Sequence, residues 1–259
     1  MTSSPARFSS ELLLKRAGKN PIFFFDFDGT LTSIVETPDK VEFKRITKFV
    51  LEELSENYPV GIISGRKLDE LKKFVGVRGV FYSGNHGVEI KGPGLKFVEP
   101  NSAKSVGYIT SLSRQIERVL RPYGALIESK KYSVSVHYRT VKPHLVQKLL
   151  FDLDALVRQP LKEGKVKLLR GKKVVEVKAP VDWNKGKALE LILRKIGKRG
   201  KPIFFGDDLT DEFGFEKVNA LGGISVFVGR LRRTTAAKYR IDSPAALVGE
   251  LAKFLFLLS

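Results

Sequence analysis

The chain has 259 residues, 42% of them hydrophobic, which is enough to bury a core without staples and excludes wholesale disorder. It has no cysteine and three histidines (His86, His137, His144), which excludes disulfides, thiolate chemistry and a histidine-rich zinc site. Forty-six basic residues face 28 acidic ones, a net charge of +18, so the chain attracts anions, and nucleic acid and phosphorylated small molecules both qualify. No apolar run approaches the ~18 residues that span a bilayer. Met1–Asn20 lacks the apolar stretch of a secretory signal, so a cytoplasmic protein without a membrane partner is expected.

In chain order, Pro21–Phe25 is a continuous apolar run that stops at Asp26 and predicts a buried strand. Apolar residues at Val41, Ile46, Phe49, Val50 and Leu54 predict a helix over Lys40–Asn57. Pro59–Ile63 reads as a strand ending at Ser64, Lys67–Val75 as a helix, and Val80–Tyr82 as a strand entering Ser83–Gly87. The rhythm then breaks. Ser102–Leu120 predicts a helix, Gly124–Ser129 and Tyr132–Arg139 a hairpin, Pro143–Val157 a second helix, and Val166–Leu169 with Val174–Lys178 a second hairpin. The alternation resumes with a helix at Trp183–Ile196, a strand at Pro202–Phe205 ending in Gly206-Asp207-Asp208, and a last strand at Ile224–Val228.

Strands alternating with helices predict an α/β fold: a doubly wound, mostly parallel, Rossmann-like sheet. The helix–hairpin–helix–hairpin stretch predicts a duplicated unit, an inserted α+β domain at 101–180 within a core formed by 1–100 and 181–259. The insert holds 17 basic and 6 acidic residues, net +11, so it carries most of the positive charge.

Ligands of open α/β sheets bind outside the carboxyl ends of the strands. Here those ends carry Asp26 and Asp28, Ser64, Asn85 and His86, then Asp207, Asp208 and Asp211. Two acidic clusters converging at one edge would repel unless a cation lay between them, and oxygen ligands favour a hard dication such as Mg²⁺. In Asp26-Phe27-Asp28 the alternation of side chains puts both carboxylates on one side, where one can attack and the other protonate a leaving group. Gly29 permits a sharp turn with exposed backbone N–H groups, a cradle for an anion. Asn184 reads as a helix N-cap, placing the Lys185 ammonium near a helix N-terminus. Ser64 offers a hydroxyl at a strand exit.

In order and strand context, DFDGTL at Asp26–Leu31, Ser64, Lys185 and GDDLTDE at Gly206–Glu212 resemble the four motifs of the haloacid dehalogenase phosphatase superfamily. The likeness extends through SGR at Ser64–Arg66, GNHG with Glu89, ESKKYSVSVHYR at Glu128–Arg139, GKKVVEVK at Gly171–Lys178 and WNKG at Trp183–Gly186. Within the superfamily these segments resemble the trehalose-6-phosphate phosphatases. Lys178-Ala179-Pro180 departs from that pattern, where a basic residue directly precedes proline, and the insert is shorter than in many relatives.

The resemblance implies a phosphatase that acts through an aspartyl-phosphate, with Asp26 as nucleophile and Asp28 as acid and then base. It implies Mg²⁺ held by Asp26, the Asp28 backbone carbonyl and Asp207, with Asp208 or Asp211 in support. Ser64 and Lys185 would hold the phosphoryl oxygens, with Thr30, Arg66, Asn85 and His86 among the substrate-binding residues. The insert would be a cap domain whose Glu128, Lys130, His137, Arg139 and Glu176 reach the sugar. A monomer acting on trehalose 6-phosphate is expected. A phosphatase for another sugar phosphate, such as sucrose phosphate, is the nearer alternative, and a basic nucleic-acid-binding protein with Tyr123, Tyr132 and Tyr138 beside Lys and Arg is the more distant one.

Overall fold

The computed structural model describes residues 5–35, 41–171, 173–197, 200–230 and 233–258; Lys40, the expected start of a helix, and Lys172, in an expected hairpin, lie outside them. The chain divides into two compact units, Met1–Phe97 with Trp183–Ser259, and Val98–Asp182. In chain order come β1 (Ala6–Arg7), α1 (Ser10–Arg16), β2 (Pro21–Phe25), α2 (Arg45–Asn57), β3 (Val60–Ile63), α3 (Leu68–Val75), β4 (Phe81–Gly84), β5 (Glu89–Gly92) and β6 (Leu95–Val98). Then follow α4 (Pro100–Lys104), α5 (Val106–Leu120), β7 (Leu126–Ser129), β8 (Ser133–His137), α6 (Pro143–Lys162), β9 (Lys167–Gly171) and β10 (Val174–Lys178). The chain ends with α7 (Lys185–Ile196), β11 (Lys201–Gly206), α8 (Glu212–Ala220), β12 (Ile224–Val228), β13 (Tyr239–Ile241) and α9 (Pro244–Phe256).

The larger unit is built on one sheet of order β1-β13-β12-β11-β2-β3-β4-β5-β6. Its pairs from β1 through β4 are parallel, and β5 joins β4 antiparallel. The central strands are apolar without interruption because both faces are covered. Phe23 and Phe25 of β2 face one core cluster with Leu13, Val50, Leu51, Leu71, Leu247 and Leu251, from α1, α2, α3 and α9. Ile22 and Phe24 face the other, with Ala188, Leu189, Ile192, Phe215 and Val218 of α7 and α8. Phe25 stacks on Phe205 of β11 with ring centroids 5.0 Å apart, locking the two middle strands together. Each such ring contributes about 1.5–3 kcal/mol by burial.

From β2 the chain winds outward to β3 and β4, and from β11 it winds the opposite way to β12 and β13. The β2/β11 pair is therefore the topological switch point, and Asp26 and Asp207 follow the carboxyl ends of those two strands. In open α/β sheets this crevice is where ligands bind.

The smaller unit has an antiparallel sheet of order β7-β8-β10-β9. Val134, Val136, Val175 and Val177 pack on Ile109, Leu112 and Ile116 of α5 and Leu149, Leu153 and Val157 of α6. The alternate strand residues Ser133, Ser135 and Glu176 belong to the opposite face. Glu128, Ser135 and Glu176 stand in one cross-strand row.

Several elements differ from expectation. Ile224–Val228 is not the last strand: β13 pairs with it and β1 with β13. These two strands, three and two residues long, are too short for alternation to register. Strands β5 and β6 follow β4 in a segment to which the sequence reading assigned no element. The expected helix Ser102–Leu120 is divided at Ser105 into α4 and α5. Val41 packs into the core from irregular chain, and α2 starts only at Arg45. Helix α6 runs past Val157 through Pro160 to Lys162. Strand β8 ends at His137, so Arg139 lies in the following turn and does not share its face. No described helix is long and apolar enough to cross a membrane.

Candidate active site

Asn184 caps α7 by accepting a hydrogen bond from the Lys187 N–H at 3.0 Å, which starts the helix at Lys185. The Lys185 side chain is only 3% exposed, and its Nζ donates to Asp26 Oδ1 and Asp211 Oδ1, both at 2.7 Å. Asp211 belongs to the short turn after β11. Its second oxygen accepts from the Asp207 and Asp208 backbone N–H groups, each at 3.0 Å. Both Asp211 oxygens are thus committed, so this residue braces the loop that carries Asp207. Asp208 turns the other way and caps the same loop by accepting from the Thr210 N–H at 2.5 Å.

The carboxylates of Asp26, Asp207 and Asp211 lie within 4.8 Å of one another. Burial raises the Asp26 carboxyl to about 8 and the Asp207 carboxyl to about 10; neighbouring carboxylates add to both, and Lys185 opposes them. Burial raises Asp211 as well. Burial works against the Lys185 ammonium, yet the Asp211 and Asp26 carboxylates outweigh it and hold its proton more tightly than usual. Burial also opposes ionisation of Asp208, but Lys185 and the Thr210 N–H prevail and its carboxyl is held below its ordinary value. Asp207 Oδ1 is buried with no hydrogen-bond partner among the described residues. An unpaired oxygen in an all-carboxylate cluster with one fixed cation fits a hard divalent ion, with Asp26 and Asp207 as its protein ligands.

Gly29 approaches this cluster closely. At φ 90° a Cβ there would lie 2.2 Å from Asp207 Oδ2, so only glycine fits. Its own N–H is taken up within the loop. It donates to the Thr32 carbonyl at 2.9 Å, because the loop closes on itself. Thr30 is fully buried, and its Oγ1 has no partner among the described residues.

Asp28 is held by Arg66. The guanidinium Nε and Nη2 reach its two oxygens at 2.8 and 2.7 Å, a bidentate pair. Arg66 itself lies over the rings of Phe27 and Phe74, at 5.4 and 4.9 Å from their centroids. Ser64 is buried at the end of β3, where its Oγ accepts from the Arg66 N–H at 3.1 Å. No described residue accepts from its O–H. Asn85 and His86 form the turn after β4, tied by backbone hydrogen bonds to Arg66 and Ser64.

The smaller unit carries a separate polar cluster. Lys130 Nζ lies 3.7 Å from Glu128 Oε1 and 3.7 Å from Glu176 Oε1, and His137 Nε2 lies 3.3 Å from Glu128 Oε2. Ser133 Oγ donates to Glu176 Oε1 at 2.5 Å, a partner the sequence reading missed. The contact follows from strand register, which sets Ser135 opposite Glu176 and Ser133, opposite Lys178, on the diagonal of the same face. Arg139 is exposed and does not join the cluster. This set supplies both donors and acceptors, which a polyhydroxylated ligand requires.

A family model described as Trehalose-phosphatase matches residues 24–245. The chain is 35% identical to trehalose 6-phosphate phosphatase RA3 of Zea mays, over 94% of this chain and 71% of that protein. It is 33% identical to probable trehalose-phosphate phosphatase 4 of Oryza sativa, over 95% and 68%. In structure it is similar to the C-terminal domain of Candida albicans trehalose-6-phosphate phosphatase, with TM-score 0.82, 25% identity and 99% of each chain covered. A haloacid dehalogenase-like hydrolase from Bacteroides thetaiotaomicron shares the fold at TM-score 0.65 and 18% identity, covering 91% of this chain and 99% of that one. With a matching model over most of its length and relatives above 30% identity, this chain belongs to the trehalose-phosphatase family.

Proposed function

We propose that the chain is a Mg²⁺-dependent phosphatase that hydrolyses trehalose 6-phosphate to trehalose and phosphate. The observation that carries this is the buried Asp26–Lys185–Asp211 array beside the unpaired Asp207 oxygen at the switch point. It offers one attacking carboxylate, one fixed cation and one cation site around a single crevice. Mg²⁺, held by Asp26, Asp207 and the Asp28 carbonyl, would neutralise phosphoryl charge.

Asp26 attacks phosphorus, forming an acyl-phosphate bond as the ester P–O bond breaks. Asp28 protonates the departing sugar oxygen, then takes a proton from the water that cleaves the aspartyl-phosphate. Both Asp28 oxygens accept from Arg66, so delivering that proton requires exchanging one of these hydrogen bonds for the substrate. Lys185, Ser64 and Thr30 hold the transferring phosphoryl oxygens, where positioning and charge do most of the work. On the smaller unit, Glu128, Lys130, Glu176 and His137 bind sugar hydroxyls.

Phosphate release across trehalose 6-phosphate, sucrose 6-phosphate, glucose 6-phosphate and an aryl phosphate, with and without Mg²⁺, tests the reading. The highest kcat/KM is expected on trehalose 6-phosphate with Mg²⁺; preference for sucrose 6-phosphate would transfer the assignment to that ester. Asp207→Asn replaces an anionic ligand with a neutral one and is expected to weaken Mg²⁺ affinity and activity together. Unchanged affinity by titration calorimetry would remove Asp207 from the metal site.

Glu128→Ala is expected to lower kcat/KM for trehalose 6-phosphate roughly 5–150-fold more than for an aryl phosphate, the worth of ~1–3 kcal/mol for a lost buried hydrogen bond. A parallel drop on both substrates would assign Glu128 to folding.

A further inference from the structure

The turn after β4 adopts an unfavourable backbone for the residues it carries. Asn85 and His86 both take left-handed angles, φ 52° and 56°. Asparagine tolerates this conformation; consecutive non-glycine residues rarely adopt it. Two hydrogen bonds hold the turn to the segment after β3. The Asn85 N–H donates to the Arg66 carbonyl at 2.8 Å, and the His86 N–H to the Ser64 carbonyl at 2.9 Å. The His86 ring lies over Gly65, where a Cβ would come within 2.6 Å of it. Strain of this kind persists where the surroundings over-determine it, and it gathers at functional sites.

The Asn85 side chain provides a second, independent observation. Asn85 is 6% exposed, and its Nδ2 donates to Glu89 Oε2 at 2.9 Å. Its Oδ1 is buried with no hydrogen-bond partner among the described residues. A carboxylate only accepts, so Glu89 draws the amide N–H₂ toward itself and turns Oδ1 away. Native proteins seldom leave a buried acceptor unpaired. An acceptor fixed in this way, beside Ser64 and Arg66, calls for a ligand that donates. A hydroxyl qualifies and a phosphate dianion, which only accepts, does not.

We propose that Glu89 is a positioning residue that fixes Asn85 as the acceptor for a hydroxyl of the substrate, so that this turn reads the leaving group and not the phosphoryl group. The proposal rests on the reading of the chain as a sugar phosphatase. It places Glu89, which touches no reacting atom, in control of substrate discrimination.

The experiment compares wild type, Glu89→Ala, Glu89→Gln, Asn85→Ala and the double alanine variant on trehalose 6-phosphate and on an aryl phosphate without hydroxyls. The ratio of kcat/KM between the two substrates is expected to fall roughly 5–10-fold in either alanine variant, the worth of one hydrogen bond, mainly through KM. The double variant falls no further than the singles, because the two residues act as one unit. Glu89→Gln lies between, since its amide can accept from Nδ2 or donate to Oδ1. An unchanged ratio overturns the proposal, whether both rates fall together, which makes Glu89 a brace for the turn, or neither falls. The wild-type rates judge the earlier reading separately. If another sugar phosphate is preferred, the ratio is taken with that substrate, and a wild type inactive on every sugar phosphate overturns both.

Discussion

Asp26→Asn is expected to lower kcat by about 10³–10⁵-fold, because the carboxylate proposed to attack phosphorus is lost and no neighbour can replace it. Asp211 has both oxygens committed to Lys185 and to backbone N–H groups, and Asp28 is clamped by Arg66. Stability should move the other way or hold. Asp26 is buried among like charges, and burial and repulsion both disfavour its ionised form. Asparagine removes one charge of that cluster, while Lys185 keeps Asp211 as a partner. We therefore expect a Tm equal to or above wild type, with no phosphorylated protein detectable by intact mass after brief exposure to substrate. A protein that loses activity and Tm together would place Asp26 in the framework of the fold. A variant retaining a tenth of the wild-type rate would exclude a nucleophilic Asp26 altogether.

That these groups stand at one crevice was legible from the strands that carry them. Each central strand is an unbroken apolar run that stops at a polar residue, as at Phe25–Asp26, Ile63–Ser64 and Gly206–Asp207. Such runs need cover on both faces, which brings the parallel sheet and its carboxyl-edge crevice with them. The edges were harder to read. Strands β1 and β13 owe their existence to pairing partners distant in sequence, and Ala6–Arg7 has no pattern of its own. Helix α9 did carry a signal, the Ser243 cap with Pro244 at its first turn and Leu247, Val248, Leu251 and Phe254 at helical spacing.

The pairing of side chains was the least legible part. Arg66 and Asp28 are 38 positions apart, and Ser133 and Glu176 are 43 apart. Both pairs depend on strand register and loop closure, which no local pattern encodes. The D-x-D alternation likewise placed Asp26 and Asp28 on one side. In the structure Phe27 enters the core between them, with Asp26 bonded to Lys185 and Asp28 to Arg66. The spacing supplied the two carboxylates; their different partners are what give them different tasks in the proposed mechanism.

Lys185→Met should produce the largest loss of stability. The substitution keeps most of the aliphatic stem and removes only the ammonium, so packing changes little. What it leaves is Asp26 and Asp211, buried and 2.7 Å from an atom that is no longer there, with Asp207 close by. Removing one partner of a buried ion pair costs about 3–5 kcal/mol, because the remaining charge is left uncompensated. For a unit of this size that corresponds to a fall in Tm of roughly 6–20 °C. Mg²⁺ should reverse part of it, since a dication among the same carboxylates supplies the missing charge. At 100-fold excess over its Kd, binding would return about 2.7 kcal/mol. Scanning calorimetry of wild type and variant, each with Mg²⁺ and with chelator, separates the contributions. The variant should gain more from Mg²⁺ than wild type does. Activity should stay low even at saturating Mg²⁺, because in the proposed mechanism the Lys185 ammonium also meets the phosphoryl oxygens. A Tm that does not fall in chelator would show that the carboxylates do not need this cation, and a rate restored by Mg²⁺ alone would confine Lys185 to holding the fold.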